Sequence, residues 1–577
     1  LASESYSSVQ AETGDARQRL MLSWESLKQQ RRSWEPVWRD LVEHVLPDAG
    51  RFLLSDKLRA GERHDLEIIN GTPTRACRVL AAGMMAGITS PARPWFRVTT
   101  PDPNLAEVGG VRLWLAEVED RIRQALARSN IYKVLSKLYY DLSTFGQCPI
   151  FVEEDADDIL RASLYPIGSY CLTSNAAGRV DGLWRECGMT VRQLAQRFGT
   201  AKLSAATRSK VRSAARQEDW VDLLHVVTPR AAGDRKGYGG RGMPWKSCWL
   251  EINAAKTDGI LGEGGFEEFP VMAPRWETTG ETVYGVGNPG RVAIGDCKQL
   301  QLMESRKLQL IEKLADPPMN GPSSMRMERV SFMPGDVNYV TGAQAHQKFE
   351  PAYEVHPQAL PGLREELRAV QERINGAYYA DLWLMFAEAD AGQPITAREV
   401  AERHEEKMLQ LGPVMENLED ELLDPLIDRV FGILLRNGYL PPPPPELEGG
   451  ELRIEYISMM AQAQKMLGTA NIERVLGTLG NVAGVDASVL DNFDLDETMR
   501  VYADNMGVAP KIVRTKRQVE RIRAQKALAA QQQQKAQAMA SAAEGAAVLA
   551  SADMEGRNAL TQLVKNAGPV VAAQARR

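Results

Sequence analysis

The sequence predicts an α+β fold, mainly helical, on three observations. Apolar residues recur every three or four positions over much of the first 145 residues and again beyond residue 290. Between residues 146 and 275 that period gives way to short β-rich runs separated by turn clusters. Strand and helix signals are segregated rather than alternating, which argues against parallel βαβ units. A chain of 577 residues is long enough for several domains, and 44% hydrophobic with 25% charged residues excludes fibrous and disordered classes.

In chain order, Leu20, Trp24, Leu27, Trp34, Trp38, Leu41 and Val45 mark one amphipathic helix from Arg19 to Val45, with Thr13 or Asp15 as its cap and Pro36 adjusting it. Further helices are expected over Pro73 to Ile88, over Val111 to Leu126 and over Tyr132 to Leu142. The runs CPIFVEED, LRASLYPIGSY, GLWRECGMTV, WVDLLHVVTP and SCWLEIN read as antiparallel strands, interrupted by one helix near Thr190 to Phe198. A helix over about Gly290 to Ala315 spans about 38 Å at 1.5 Å per residue. After some 40 residues rich in Pro, Gly and β-branched types, a second helix starts near Pro361, and the longest starts at Thr396 with Glu399 completing a capping box. Pro413 and Pro425 should bend that helix. Pro441 to Pro445 form a stiff spacer, ELRIEYIS a strand, and Met459 to Gly480 and Asp496 to Met506 two more helices. A basic run from Lys511 to Lys526 leads into an Ala/Gln-rich tail of low complexity.

Gly285, Gly287 and Gly290 have the G-x-G-x-x-G spacing of a dinucleotide loop, but no parallel strand follows at the required distance. A second match at Gly237 to Gly242 shows how readily the pattern arises among 47 glycines. A flexible approach to a long helix is the expectation. There is no Walker loop and no G-x-S-x-G. His404 lacks the second histidine of a zinc-protease helix. The six cysteines are scattered without a C-x-x-C pair, so reduced thiols are expected rather than a disulfide or zinc scaffold. The cluster Asp491 to Glu497 lacks the calcium-loop glycine and reads as a helix N-terminus. The N-terminal segment carries acids without an apolar core, and no run approaches roughly 18 apolar residues, so no membrane partner is expected. No cofactor is implied, and a formal net charge of −6 gives no sign of charge-driven nucleic-acid binding.

PARPWFRV, APRWETTGETVYGVGNPGRVAIGDCKQL, KLADPPM and the run from ITAREVAERHEEKM to GYLPPPPPELEG, in this order after a tryptophan-rich helix, resemble the portal, or head-to-tail connector, proteins of short-tailed bacteriophages. The likeness covers about Arg19 to Gln525. The resemblance implies a portal-type fold: wing 1–289, stem helix 290–316, small β-containing clip 317–358, second stem helix 359–386, tunnel loop 387–395, long wing helix and return strand 396–457, helical crown 458–527, and tail or barrel 528–577. It further implies a non-enzymatic homo-oligomer, a ring of twelve at the capsid vertex, assembled in the host cytoplasm, through which double-stranded DNA is packaged and ejected. Implied partners are a terminase ATPase, tail adaptor proteins, major capsid or scaffolding protein and internal core proteins. Glu388, Asp390 and Gln393 would line the tunnel loop, Lys298, Arg306, Lys307 and Lys313 would face the channel from the stem, and Met325, Arg326 and Arg329 would meet clip partners.

Two rivals are a tail collar or other ring adaptor, and a metal-dependent nucleic-acid enzyme built on Asp155, Asp157 and Asp158. The latter residues lie in a turn after a strand, where a solvated loop is the plainer reading. In the first stem segment Lys298, Arg306, Lys307 and Lys313 offset Asp296, Glu304, Glu312 and Asp316, so weak, sequence-independent DNA contact is expected.

Overall fold

The computed structural model describes residues 2–49, 68–102, 105, 108–235, 239–255, 258–317, 319–320, 350–351, 359–381, 383, 411–447, 452–456, 472–479, 493–505, 514 and 516–551. The chain divides into two compact units, Leu1–Lys465 and Met466–Arg577.

The first unit opens with α1 (Ala2–Arg31) and α2 (Glu35–His44). The single helix expected over Arg19 to Val45 is therefore two. Pro36 stands at the start of α2, where its missing N–H costs nothing, and the break falls just ahead of it. Thr13 and Asp15 are not caps but lie inside α1, because neither Pro nor Gly in residues 2–12 stops the helix earlier. Next come α3 (Thr72–Gly87), β1 (Phe96–Thr99), α4 (Gly109–Arg128) and α5 (Ile131–Phe145). α5 ends on Gly146, whose φ of 81° is the left-handed conformation that glycine adopts without strain.

The strand region is antiparallel, as its alternation predicts. β2 (Ile150–Asp155) pairs with β3 (Ile159–Leu164) and with the short β9 (Val271–Met272). The larger sheet runs in order through β4 (Tyr170–Ser174), β5 (Val180–Thr190), β6 (Trp220–Pro229), β7 (Trp245–Glu251) and β8 (Ile260–Phe266). Two short helices, α6 (Val191–Phe198) and α7 (Ala205–Val211), sit between β5 and β6, one more than expected. α6 has a complete capping box from Thr190 and Gln193.

Alternation divides the large sheet between cores. Trp184, Leu224, Val226, Cys248 and Leu250 meet Trp24 and Leu20 of α1. Cys187, Leu223, Trp249 and Leu261 on the opposite face meet Leu194 of α6. Arg17 pins α1 to the end of β7 by donating to the carbonyls of Glu251 at 3.0 Å, Ile252 at 3.0 Å and Ala254 at 3.2 Å. The main core joins α2 to α5, the small sheet and the helices that follow. These are α8 (Pro289–Ala315), α9 (Ala359–Ala377), α10 (Gly412–Leu418) and α11 (Asp424–Arg436). Between α8 and α9 the short β10 (Met319–Asn320) pairs with β11 (Glu350–Pro351). β12 (Arg453–Tyr456) returns to pair with β1.

In the second unit a helix covers 472–479, followed by α12 (Leu495–Asn505) and α13 (Lys516–Ser551). The acidic cluster is a helix N-terminus as read: Asp494 accepts the N–H of Glu497 at 3.0 Å. The basic run does not end at a helix boundary, for α13 continues through the Ala/Gln-rich segment. Arg523 of that run pairs with Asp496 at 2.5 Å.

Candidate functional site

The helices α8 and α9 pack against each other, and the root of α8 is built around the three glycines of the G-x-G-x-x-G match. A Cβ on Gly285 would collide with the carbonyl oxygen of Gly146, and one on Gly290 with the backbone of Thr144. Gly287 has φ of 70°. The spacing thus serves a backbone-on-backbone crossing with the end of α5, not a phosphate. Asn288, just ahead of α8, donates its amide to the carbonyl of Thr144 instead of capping the helix, while Gly285 N–H donates to Gln147 Oε1 at 3.1 Å. Trp276 N–H closes the crossing on Gly146 O at 2.8 Å.

The pair is held by Ala293, Cys297 and Leu300 of α8 against Leu367, Val370, Ile374 and Tyr378. Arg373 reaches Asp296 at 3.0 Å. A second tie comes from the segment before α3. Gln301 Oε1 accepts the N–H groups of Ile69 and Asn70, both at 2.8 Å, its Nε2 donates to Asn70 O, and Asn70 donates to Glu304 at 2.8 Å. Beyond Glu304, Leu308, Ile311 and Leu314 are exposed.

The four stem cations do not share one face. Lys298 pairs with Asp40 of α2 at 2.7 Å, and Lys307 pairs with Glu304 on its own helix. Arg306 donates to Gln309 at 3.0 Å; Lys313, two turns on, lies on the same side as Arg306 and is exposed. Met325, Arg326, Arg329, Glu388, Asp390 and Gln393 lie outside the described residues, as do Thr396, Glu399 and His404.

The second stem helix, expected to run from 359 to 386, is interrupted after Ala377, with helix again at residues 380, 381 and 383. Tyr378 is buried and Tyr379 takes φ of 52°, the left-handed region that turns the chain away from the helix axis. Trp383 then lies flat on α3 at Gly83, where any Cβ would strike the indole. α10 begins at Gly412, with Pro413 in its first turn. At the second proline, Pro425, the helix forms a π turn over Glu419–Leu423, with Asp424 N–H bonded to Glu419 O. Pro425 has no N–H for Glu421 O, and the wider turn absorbs the defect. It also aims Glu421 at the buried Arg275, whose Nε donates at 3.0 Å and whose backbone N–H donates at 2.9 Å. Nearby, Arg429 and Arg436 both reach Glu268. Burial opposes its charge, yet the two arginines hold its carboxyl below the usual range.

Among the described residues no cluster of three or more His, Cys, Asp or Glu is placed to hold a metal ion. Asp155 accepts the N–H groups of Asp157 at 2.8 Å and Asp158 at 3.1 Å, which lowers its pKa and marks a solvated turn. All six cysteines are buried and none is in a disulfide. No helix among the described residues is long and apolar enough to cross a membrane. What the geometry builds is a multi-point attachment of α8, with α9 packed on it, to the main core. Sequence reasoning missed Asn288, Gln301, Arg275 with Glu421, and Gly83 with Trp383. Trp276 beside Arg275 was visible as a signature, but the partners lie too far along the chain to be read.

Residues 17–513 match the family of bacteriophage head to tail connecting proteins. The chain is 40% identical over 556 residues to the portal protein of Salmonella phage epsilon15, covering 96% of this chain and 98% of that one. It is equally 40% identical over 549 residues to the probable portal protein of Bordetella phage BPP-1, covering 95% and 98%. Among solved structures, a chain from the neck of an empty GTA particle aligns over 70% of this chain and 86% of its own at 10% identity, with a TM-score of 0.33. The order of motifs read from the sequence is thereby borne out: the chain belongs to the family of bacteriophage head-to-tail connecting, or portal, proteins.

Proposed function

We propose that the chain is one subunit of a twelve-membered ring at the capsid vertex, a conduit for double-stranded DNA during packaging and ejection. The observation that carries this reading is 40% identity to a portal protein over 96% of the chain. The supporting physics is that α8, with α9 packed on it, is attached to the main core at several points, as a load-bearing channel wall requires. In this reading α8 and α9 are the stem, residues 317–358 the clip and 387–395 the tunnel loop. Arg306 and Lys313 face the channel, with Glu388, Asp390 and Gln393 at its constriction, and Met325, Arg326 and Arg329 meet the terminase and then the tail adaptors.

The chain's role is architectural. ATP is spent by a separate terminase, and DNA contact is transient and independent of sequence. Purified protein viewed by negative stain should give closed rings with a central hole and twelve-fold symmetry. A persistent monomer at high concentration, or ATP turnover by the purified chain, overturns the proposal.

A further inference from the structure

Residues 191–217, between β5 and β6, carry seven cations and no acid, in a chain whose formal net charge is −6. They form one small lobe on the large sheet, where Leu194, Phe198, Leu203 and Val211 pack against Leu223 and Trp249. The start of α7 is fixed to the end of β7 by the buried carboxylate of Glu251. It accepts Ser204 N–H at 2.9 Å, Ser204 Oγ–H at 2.7 Å and Thr207 Oγ1–H at 2.6 Å. Arg208 closes the lobe by donating to the carbonyls of Ala201 at 2.9 Å and Leu203 at 2.7 Å. Three other cations are engaged locally: Arg192 pairs with Glu218 at 2.8 Å, Lys210 with Asp219 at 3.4 Å, and Arg197 with Glu153 at 3.9 Å. Lys202, Arg212 and Arg216 remain. All three are exposed, and among the described residues none of them makes a side-chain hydrogen bond or ion pair. The dipole of α7 accounts for a cation at its C-terminal end, where Arg212 stands, but not for Lys202 ahead of the helix or Arg216 beyond it.

We propose that this lobe is a second contact for duplex DNA, apart from α8 and α9, which takes the phosphate backbone through Lys202, Arg212 and Arg216. A protein partner would call for an aromatic or large apolar anchor to bury. Between 191 and 217 no large apolar side chain is exposed. The exposed positions around the free cations are instead small: Ala201, Ala205, Ala206, Ser209, Ala214 and Ala215. Short side chains let a backbone come close, and a serine hydroxyl adds a phosphate contact that carries no sequence information. Two of the three free cations are arginines, whose planar fork suits bidentate contact with phosphate oxygens. The acidity of the whole chain does not oppose this, because exposed charges farther away than about 8 Å are screened at physiological salt.

The inference rests on the reading of the chain as a DNA conduit. Its test is filter binding of the purified full chain to a duplex of about 30 base pairs over a salt series, with K202A/R212A/R216A beside the parent. Each phosphate neutralised adds about −0.9 to the slope of log K against log salt, so the variant's slope should be shallower by about 2 to 3 and its affinity at low salt at least tenfold lower. K202R/R212K/R216K keeps the charge and should keep the parent's slope. On the unaltered chain, the duplex should slow acetylation of Lys202 several-fold and leave Lys133 of α5 unaffected, a readout independent of how any variant folds. Equal slopes for the parent and the alanine variant, or Lys202 left unprotected, overturn the inference. So does poly-glutamate that protects Lys202 as well as DNA of equal charge, which would assign the lobe to an acidic polypeptide. A parent protein that never closes into rings, with Lys202 still protected by the duplex, would instead overturn the proposed function.

Discussion

At the scale of single residues, cost is set by whether the neighbour can move. Gly285 and Gly290 face backbone, which cannot yield, so G285A and G290A should each destabilise by roughly 2–4 kcal/mol. At Gly287 a Cβ meets only the carboxylate end of Glu277, and the left-handed φ is the main cost, so G287A should lose only about 1 kcal/mol. Denaturant unfolding of the three variants checks the order; equal losses would mean that the crossing is not what the glycines serve. Asp141 is a second case. Burial pushes its carboxyl up to about 7, with the thiol of Cys148 at 3.8 Å. The native state keeps a proton that the unfolded chain releases near pH 4, so this site's contribution falls as pH rises from about 4 to about 7 and is level above. D141N removes that loss and should gain about 1–3 kcal/mol more at pH 8 than at pH 4. A pH-independent gain would show that Asp141 titrates normally. Neither effect was legible in the sequence, which displays the glycine spacing but not the carbonyl oxygen opposite.

At the scale of elements, periodicity located most helices and every strand of the large sheet except β8, because those signals are local. It failed where a distant partner decides. β8 is rich in glycine and lacks β-branched bulk after Ile260, so it does not read as a strand, yet β7 pairs with it along its length. Two prolines foretold bends in the long helix; Pro413 lies in the first turn of α10, whose upstream neighbours fall outside the described residues, and a π turn precedes Pro425. The π turn has a use, since it presents Glu421 to Arg275, 146 residues away. Arg275 is 5% exposed, so removing its partner leaves a buried charge. E421A should therefore cost roughly 3 kcal/mol, whereas adding R275M to an E421L background should recover part of the loss. A double variant as unstable as the sum of the single ones would show that the pair is not coupled.

At the scale of the whole molecule, the proposed role as a DNA channel raises the question of how its wall would approach a polyanion without holding it. α8 sets its cations against Asp296, Glu304 and Glu312, and α9 sets Arg364, Arg368 and Arg373 against Glu365, Glu366 and Glu372. Several are already engaged within the chain, Lys298 with Asp40, Lys307 with Glu304 and Arg373 with Asp296, and so are not free for phosphate. Binding that depends on phosphate contacts weakens with salt in proportion to their number, so a balanced wall should show a shallow salt slope. Glu312 and Asp316 are exposed at the far end of α8 and can be neutralised without touching the core. E312Q/D316N removes two negative charges beside Lys313 and Arg306, and in the proposed ring that change is repeated in every subunit. Duplex DNA binding by the assembled variant should rise about tenfold at low salt, with a steeper salt dependence and no gain in sequence preference. Filter binding over a salt series separates the outcomes: an unchanged slope would mean that this end of α8 does not face the DNA, and a gain confined to particular sequences would mean that the wall reads bases.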